Sequence, residues 1–320
     1  MIDVRPDGEL RIGGMHRGVE KLLETRDYRQ GLALVNLHSW ESSFHGELGY
    51  ALAIERLLGM QVPERAVWMR TLLAEMTRVA HHSAFLGAHQ VTEQVRRLIE
   101  AYAGNRIHPM VVRVGGLRVD SPAGWFDAVA EFAQGVQLPS VDVISGGAGV
   151  GVVGVETAHN FGASGPVGRA SGLDIDLRRD APYLAYQPLL DGGVLRVVRR
   201  DGGDVAARRA NLADEITVSV DLINACAARL GSGLEGPIDV KLPKVLRLPE
   251  GQTYLAHETP AGIAGYLVVS RAERSPWRVK LRTPSFAHAQ IANDLIRGAS
   301  APDSSAIIDS MCLVAGDIDR

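Results

Sequence analysis

Apolar residues recur at helical spacing through the middle of the chain. Between positions 44 and 60 they stand at 48, 51, 52, 54, 57 and 58, with Gly59 near the natural end of that helix. A second stripe follows Pro63 and Glu64; proline suits a first helical turn, and a carboxylate suits the positive end of the helix dipole. Since only a short turn separates the two stripes, they predict a helical hairpin in an ordinary apolar core.

A weaker helical pattern covers Glu93–Tyr102, Trp125–Val136 is amphipathic, and Arg208–Leu230 returns to a helical pattern that stops at Gly231. A short helix is also predicted from Val19, and its charged residues Glu20, Lys21 and Glu24 are expected to form a solvated face. Between positions 138 and 180 the composition shifts to Gly, Val and Ser, which makes this the least regular part of the chain.

Short alternating runs predict strands near both ends. Residues 3–12 favour a hairpin turning at Pro6-Asp7-Gly8, and residues 108–120 are predicted to be extended with a break at Gly115-Gly116. Near the C-terminus, Gly265–Ser270 and Trp277–Leu281 flank a charged turn, and Pro284 and Ser285 can start a buried helix. That helix carries Phe286, Ile291, Leu295 and Ile296.

These patterns predict an α+β fold that is mainly helical, with peripheral β hairpins near both termini. We expect a single domain over residues 1–320. It divides into an N-terminal β element (1–18), a mainly helical core (19–250) and a C-terminal β hairpin with helices (251–320).

Composition narrows the function classes. The 320 residues are 46% hydrophobic and 22% charged, enough for a large core, and a net charge of −3 argues against a nucleic-acid surface. Cys226 and Cys312 are far apart and in no paired motif, so neither a disulfide framework nor a thiolate metal cage is indicated, and a cytoplasmic protein is expected. No signal peptide is evident, and the longest apolar run (141–155) is too short to span a bilayer, so membrane contact is expected only through a partner.

Two motifs suggest cofactors and are interpreted otherwise. Gly149-Val-Gly151-Val-Val-Gly154 matches G-x-G-x-x-G after a strand-like VDVI, but VETAHNFGASG after it has no helical stripe and no βαβ pattern frames it. Six histidines lie between positions 38 and 108, and Glu41 and His45 stand four residues apart, yet no third ligand has diagnostic spacing. Structural histidines are the favoured interpretation.

Several uncommon motifs follow one another in an order that resembles a known family. They are IGGMHRGVEKLLETRDYRQ, GYALAIERLLG, VPERA, EMTRVAHH, RVGG, GRASGLDIDLRRDAPYLAY, ETPAGIAGYLVVS, PWRVKLRTPSF and a terminal GDIDR. Together they resemble the D subunit of respiratory complex I, the NADH-quinone oxidoreductase, which is related to the large subunit of nickel–iron hydrogenases. The resemblance covers nearly the whole chain and assigns the glycine-rich run to the stretch that leads into an R-x-S-G loop at Arg169.

The resemblance implies a helical core like that of hydrogenase large subunits, in the peripheral arm of a membrane-associated complex at the cytoplasmic face. The implied partners are a small iron–sulfur subunit, other complex I-like subunits and, through them, a membrane arm; no nucleic acid is expected. In the family, an Arg and a His lie beside the partner's terminal cluster, and these align with Arg17 and His108. A fixed cation favours the reduced cluster, and a His can couple its protonation to reduction.

The quinone end of the family's site looks altered. A family Tyr that hydrogen-bonds the quinone aligns with Trp40, and a family Asp aligns with Thr92. The quinone-site His that this Asp pairs with falls in an earlier strand and has no counterpart in this sequence. Since an indole has no titratable proton, proton delivery at that point would be lost. A quinone at an interface with the partner is the cofactor implied, and the chain itself is expected to hold none.

Nickel chemistry is not expected. The hydrogenase relatives bind nickel through four thiolates, and the matching positions here are Ser39, Ser42, Val314 and Asp317. Alcohols and a valine cannot replace soft thiolates. The favoured hypothesis is therefore a component like the complex I D subunit, not active alone, that shapes an acceptor cavity beside a neighbour's cluster. The alternative is a degenerate, non-catalytic scaffold of a complex I-like or membrane-bound hydrogenase-like assembly.

Overall fold

The protein, described by a computed structural model over residues 3–4, 9–137 and 146–320, is built mostly from helices. Those of the described residues are α1 (Val19–Glu24), α2 (Gly31–His38), α3 (Ser43–Leu58), α4 (Glu64–Phe85), α5 (His89–Ala103), α6 (Trp125–Gly135), α7 (Val155–Phe161), α8 (Gly165–Ala170), α9 (Leu177–Asp180), α10 (Tyr186–Asp191), α11 (Val205–Gly231), α12 (Pro284–Ile296), α13 (Ala301–Ser310) and α14 (Ala315–Asp319). A short 3₁₀ helix, Trp40–Ser42, joins α2 to α3.

Helices α4 and α11 pack along each other and form the centre of the core. The apolar stripe that predicted α4 is buried: Met69, Leu72 and Met76 have no exposed surface. Burying one such side chain contributes about 1.5–3 kcal/mol, so this stripe is a main source of stability. The predicted helical hairpin of α3 and α4 is present; α3 ends at Gly59, which takes the left-handed conformation that favours glycine.

The strands form small sheets at the edges of this helical core. The largest has β5 (Gly251–Thr259), β6 (Gly262–Ser270) and β7 (Arg278–Arg282) in antiparallel order. The other two are hairpins, β1 (Asp3–Val4) with β2 (Leu10–Arg11) and β3 (Val112–Arg113) with β4 (Gly116–Leu117). These features confirm the mainly helical α+β fold, while the turn expected at positions 6–8 lies outside the described residues.

Several local predictions differ from the structure. Strand β5 was missed at the sequence level, because its residues join the sheet only through pairing with β6. A helix, α7, does follow the glycine-rich run, although no helical stripe marks it; only Ala158 of its seven residues is buried, so the pattern was too weak to see. Phe286, expected inside, is 40% exposed and lies under the guanidinium of Arg320 at 5.0 Å from the ring centre.

Two of the three charged residues of α1, Glu20 and Glu24, are not part of the solvated face that the sequence predicted, whereas Lys21 is exposed. The carboxylate of Glu20 accepts the backbone N–H of Leu281 and pairs with Lys280, and Glu24 pairs with Arg278 at 2.8 Å. These contacts attach α1 to the outer strand β7. The error arose because periodicity marks a polar face but cannot tell whether a strand edge covers it.

Within the described residues, no helix is both long enough and apolar enough to cross a bilayer.

Candidate functional site

Helix α2 brings Arg17 and His108 to its C-terminal end. The guanidinium of Arg17 donates to the carbonyl oxygen of Leu37 at 3.2 Å, and Nδ1 of His108 lies 2.6 Å from Oδ1 of Asn36. Because residues 36 and 37 are neighbours in the last turn of α2, the two predicted residues share one end of one helix. Arg17 is exposed and His108 is half-buried, and burial lowers the pKa of His108 below its usual value.

Exposed apolar side chains lie around these two residues. Leu37 is 43% exposed, Ile107 44% and Met110 37%. Arg17 contacts Leu37, and Ile107 and Met110 lie within two positions of His108 along the chain. Isolated exposed apolar residues are ordinary, but three of them around a cation and a half-buried imidazole are typical of an interaction surface. The end of α2 with residues 107–110 is called the α2 face below.

Behind the α2 face, a buried carboxylate is tied to His108 through an amide. Nδ2 of Asn36 donates to Oε1 of Glu47, whose two carboxylate oxygens also accept the N–H groups of Met110 (3.0 Å) and Val112 (2.9 Å). Asn36 and Glu47 are fully buried. Burial raises the pKa of Glu47 to about 7, against the opposing effect of these N–H donors.

The contact between α2 and α3 depends on Gly46. A Cβ atom built there would lie 2.2 Å from the carbonyl oxygen of Val35, so only glycine permits the two helices to come this close. Residues 36 and 47 follow these two positions directly, and the close approach places their side chains within hydrogen-bond distance. The G-x-x-G spacing in HGELG was not singled out at the sequence level, although it was the one available signal.

The C-terminal helix α14 packs against the segment that carries Trp40. A Cβ atom at Gly316 would lie 2.4 Å from the Trp40 ring and 2.3 Å from the carbonyl oxygen of His38, so the two segments touch directly. Asp317 lies 3.4 Å from Nδ1 of the buried His38 and also accepts the N–H of Ser285. The terminal G-D-I-D-R run therefore forms one wall of the region around Trp40.

The four positions that align with hydrogenase thiolates lie on the two segments that pack together here, the 39–42 turn and the start of α14. The hydroxyls of Ser39 and Ser42 are hydrogen-bonded at 2.9 Å, and the N–H of Val314 donates to Ser285. Through His38, the 39–42 turn faces Asp317. Within the described part of the chain, no group of three or more His, Cys, Asp or Glu residues is arranged to hold a metal ion.

Trp40 lines a small cleft beside the α2 face. The cleft has a volume of about 30 Å³, and its lining includes Ile107 and Pro109, which flank His108. A cavity needs roughly 10–15 Å³ of such space to hold one water molecule. A quinone head group therefore does not fit into this cleft of the chain alone.

Thr92 lies apart from this cleft. It is buried in α5, and its hydroxyl is within 3.4 Å of the carbonyl oxygens of Ala80 and Ala88. Ala80 does line the cleft, so Thr92 lies behind a lining residue and does not line the cleft itself. The structure thus brings Arg17, His108 and Trp40 to one region and leaves Thr92 behind that region, and the roles of all four stay predictions.

The glycine-rich run 149–154 is occupied by the chain's own groups. The N–H of Gly149 donates to the carboxylate of Asp204 at 2.8 Å, and Arg208 donates to the carbonyl of Gly151 at 2.9 Å. An acidic side chain on the loop amide opposes phosphate binding there. The strand-like residues 141–144 lie outside the described residues.

A buried network of charges was missed at the sequence level. Arg169 pairs with Glu215 (2.8 Å) and Glu258 (2.7 Å), and Arg178 pairs with Asp176 (2.7 Å). Glu75, Arg78 and His82 extend the network along α4, where Nε2 of His82 lies 3.0 Å from Glu215. The members are at most 1% exposed: Glu75, Arg78, His82, Arg169, Asp176, Arg178, Glu215 and Glu258.

The network joins α4, α8, α9, α11 and β5 behind the candidate site. Three guanidinium groups face four carboxylates, and burial raises the pKa of Glu258 while the surrounding arginines oppose that rise. The available signal was the placement of Glu75 and Arg78 inside the apolar stripe of α4, since charges on a core-facing stripe must be paired.

Comparison with known proteins shows which family the sequence belongs to. The sequence model of the family "Respiratory-chain NADH dehydrogenase, 49 Kd subunit" matches residues 79–247 and 239–320. A D subunit of the NADH-quinone oxidoreductase of Salinispora tropica, the second of that name, is 47% identical, over 97% of this chain and 84% of its own length. The first D subunit of Streptomyces coelicolor is 45% identical (97% and 86%), and the D subunit of Clostridium beijerinckii is 32% identical (97% and 88%).

These matches confirm the resemblance that the motifs indicated, from the MHRGVEK run near the start to GDIDR at the end. The chain belongs to the family of the 49 kDa subunit, also called the D subunit, of respiratory-chain NADH dehydrogenase.

Proposed function

We propose that this chain is the D subunit of an NADH-quinone oxidoreductase of the complex I type, and that its α2 face binds a small iron–sulfur subunit. The observation that carries the proposal is the convergence of Arg17 and His108 on the last turn of α2. Relatives that carry the name of the NADH-quinone oxidoreductase D subunit, at 45–47% identity, support the assignment to such an assembly. The complex would lie at the cytoplasmic face of the membrane and reach it through other subunits.

The chemistry of the α2 face suits a neighbouring redox centre. Arg17 supplies a permanent positive charge at an exposed position, and a positive charge nearby stabilises the more negative, reduced state of a cluster. His108 supplies an imidazole that can exchange a proton, with a pKa that burial holds below its ordinary value. The exposed Leu37, Ile107 and Met110 would become buried against the partner.

A quinone would bind between subunits. The cleft at Trp40, at about 30 Å³, is too small for a head group, so an acceptor cavity at Trp40 must be completed by the partner. Within such a cavity Trp40 can donate one hydrogen bond but cannot deliver a proton. Catalysis therefore requires the assembled complex and a proton source other than this residue.

A redox titration of the assembled complex tests the proposal. Arg17→Ala should shift the midpoint potential of the partner's cluster to a more negative value, and His108→Ala should weaken the dependence of that potential on pH. Arg26→Ala is a matched control, because Arg26 is also exposed and its guanidinium contacts the neighbouring Thr25 instead of α2. Unchanged potentials in both variants, or an equal shift in the control, would contradict the proposal.

The alternative function is a non-catalytic scaffold that keeps the docking face but not turnover. The small cleft at Trp40 and the backbone-bound hydroxyl of Thr92 favour it. Affinity purification of the tagged chain from gently solubilised membranes, followed by a quinone-reduction assay, separates the two functions. Inhibitor-sensitive quinone reduction by the native complex would exclude the scaffold; an assembled complex that reduces no quinone, with or without Trp40→Tyr, would favour it.

A further inference from the structure

Three side chains form a chain of hydrogen bonds from the α2 face into the protein interior. Half-buried His108 contacts Asn36 through Nδ1 at 2.6 Å, and Asn36 donates from Nδ2 to Oε1 of Glu47. Of the three, only His108 has access to the surface. The order of donors and acceptors along these bonds determines which ring nitrogen of His108 carries the hydrogen, and the family alignment does not show this.

The order of donors and acceptors is fixed by Glu47. Its carboxylate accepts the N–H groups of Met110 and Val112, and an ionised carboxylate has no hydrogen to donate. The third partner, Asn36, must therefore turn its NH₂ group toward Glu47 and its carbonyl oxygen toward His108. A carbonyl oxygen also only accepts, so Nδ1 of His108 must carry the hydrogen of that bond.

The backbone of Met110, which donates to Glu47, has an unusual conformation. Met110 has a φ of 49°, a left-handed conformation that is uncommon for a residue other than glycine. Its N–H points at Glu47, and Asn105 fixes the preceding turn by accepting the N–H groups of Ile107 and His108. Such a conformation persists only where surrounding contacts enforce it, and the Glu47 carboxylate provides one of them.

We propose that Asn36 and Glu47 are positioning residues that hold neutral His108 as the Nδ1–H tautomer, so that Nε2 is the atom that gains and loses a proton. When Nε2 takes up a proton, the imidazolium keeps its Nδ1–H bond to Asn36, so the ring does not have to move. The use of this proton beside a partner's cluster rests on the proposed function. The tautomer itself is a property of this chain alone.

The first test is imidazole ¹⁵N NMR of the full-length chain at pH 8. This pH lies above the pKa of about 7 that burial gives Glu47 and above that of His108, so the carboxylate is ionised and the imidazole is neutral. His108→Gln assigns the signals. A protonated Nδ1 and an unprotonated Nε2 are expected for His108. The Nε2–H tautomer in the native chain would by itself overturn the inference, and no variant of Asn36 or Glu47 would be needed.

The second test removes the amide. Asn36→Leu has a similar volume and no polar atoms, so His108 should lose its preference and populate the Nε2–H form. The matched control is Asn105→Ala, which removes the contacts of Asn105 to the backbone of residues 107 and 108 but leaves the hydrogen bonds of Asn36 to His108 and Glu47. His108 should keep the Nδ1–H form in this control. An unchanged tautomer in Asn36→Leu, or an equal loss in both variants, would refute the positioning role.

A conservative variant covers the case in which Asn36→Leu does not fold. In Asn36→Asp one carboxyl oxygen still accepts from Nδ1, while the other faces Glu47 at hydrogen-bond distance, where the two carboxyl groups must share a proton. The Nδ1–H tautomer should therefore be kept, and an Nε2–H tautomer in this folded variant would contradict the geometry.

The test distinguishes this inference from the proposed function. If the native chain has the Nδ1–H form and the partner's cluster does not respond to His108→Ala, the tautomer stands and the proposed function fails. If the cluster responds to His108→Ala but the native chain has the Nε2–H form, the proposed function stands and the inference fails.

Discussion

Two adjacent arginines of α9 allow a sharp test of the buried charge network. Arg178 is 1% exposed; it bonds both carboxylate oxygens of Asp176 (2.7 and 3.0 Å) and lies 3.3 Å from Glu75. Arg179, the next residue, pairs with Asp174 and Asp180 in a more exposed setting. Methionine has a side chain of similar length to arginine, so each replacement removes one guanidinium from the same short helix.

The two substitutions should differ in cost. Removing one partner of a buried pair leaves an uncompensated charge and costs about 3–5 kcal/mol in the free energy of unfolding. Exposed pairs contribute about 0.2–1 kcal/mol each, because water screens them. Arg178→Met should therefore destabilise the protein by about 3–5 kcal/mol, and Arg179→Met, which loses two exposed pairs, by about 2 kcal/mol or less.

The loss in Arg178→Met should depend on pH. In the native protein, burial opposes ionisation of Asp176, but Arg178 and Arg169 prevail and hold its pKa below the usual range. Without Arg178 the folded-state pKa of Asp176 rises, so the folded variant takes up a proton on acidification. Its deficit should be largest at pH 8 and should shrink toward pH 5.

Urea unfolding followed by far-UV circular dichroism at both pH values measures these free energies. Equal and small losses in Arg178→Met and Arg179→Met would refute the view that the network holds α4, α9 and β5 together. A large loss that does not change with pH would show that packing, and not an unpaired carboxylate, is its cause.

Two further variants test the candidate site. Gly316→Ala places a Cβ 2.4 Å from the Trp40 ring, so it should destabilise the protein by about 1–3 kcal/mol and shift tryptophan fluorescence. Gly231→Ala is the control and should do neither, because its Cβ would meet no atom of the described residues within 4 Å. An unchanged emission in Gly316→Ala would contradict the contact with Trp40. For Glu47, whose folded pKa is raised from 4.5 to about 7, the native chain should lose about 3 kcal/mol of unfolding free energy as pH rises through that interval. Glu47→Gln should lack this loss in urea unfolding measured across the same pH range, and identical slopes for the two proteins would refute the assignment.

Periodicity alone determined the long helices of the core. The stripes of α3, α4 and α11 are each long enough to bury a continuous apolar face, and Gly59 supplies a stop that no other residue type makes as easily. The motifs were sufficient to identify the family, because their order along the chain is itself information. Short elements such as α7 and β5 escaped detection, since few of their residues face a core or since their pairing is with another strand.

Only the tertiary structure decided how the candidate site is built. The sequence separates Arg17 from His108 by ninety-one positions, and their meeting depends on the close approach of α2 to α3 at Gly46 and on the fold of residues 105–110. In the sequence Asn36 and Glu47 are one polar and one charged residue; their pairing is a consequence of burial, which forces each to find a partner. Local spacing specifies elements, whereas contacts between distant segments specify the orientation and proton affinity of the groups that they enclose.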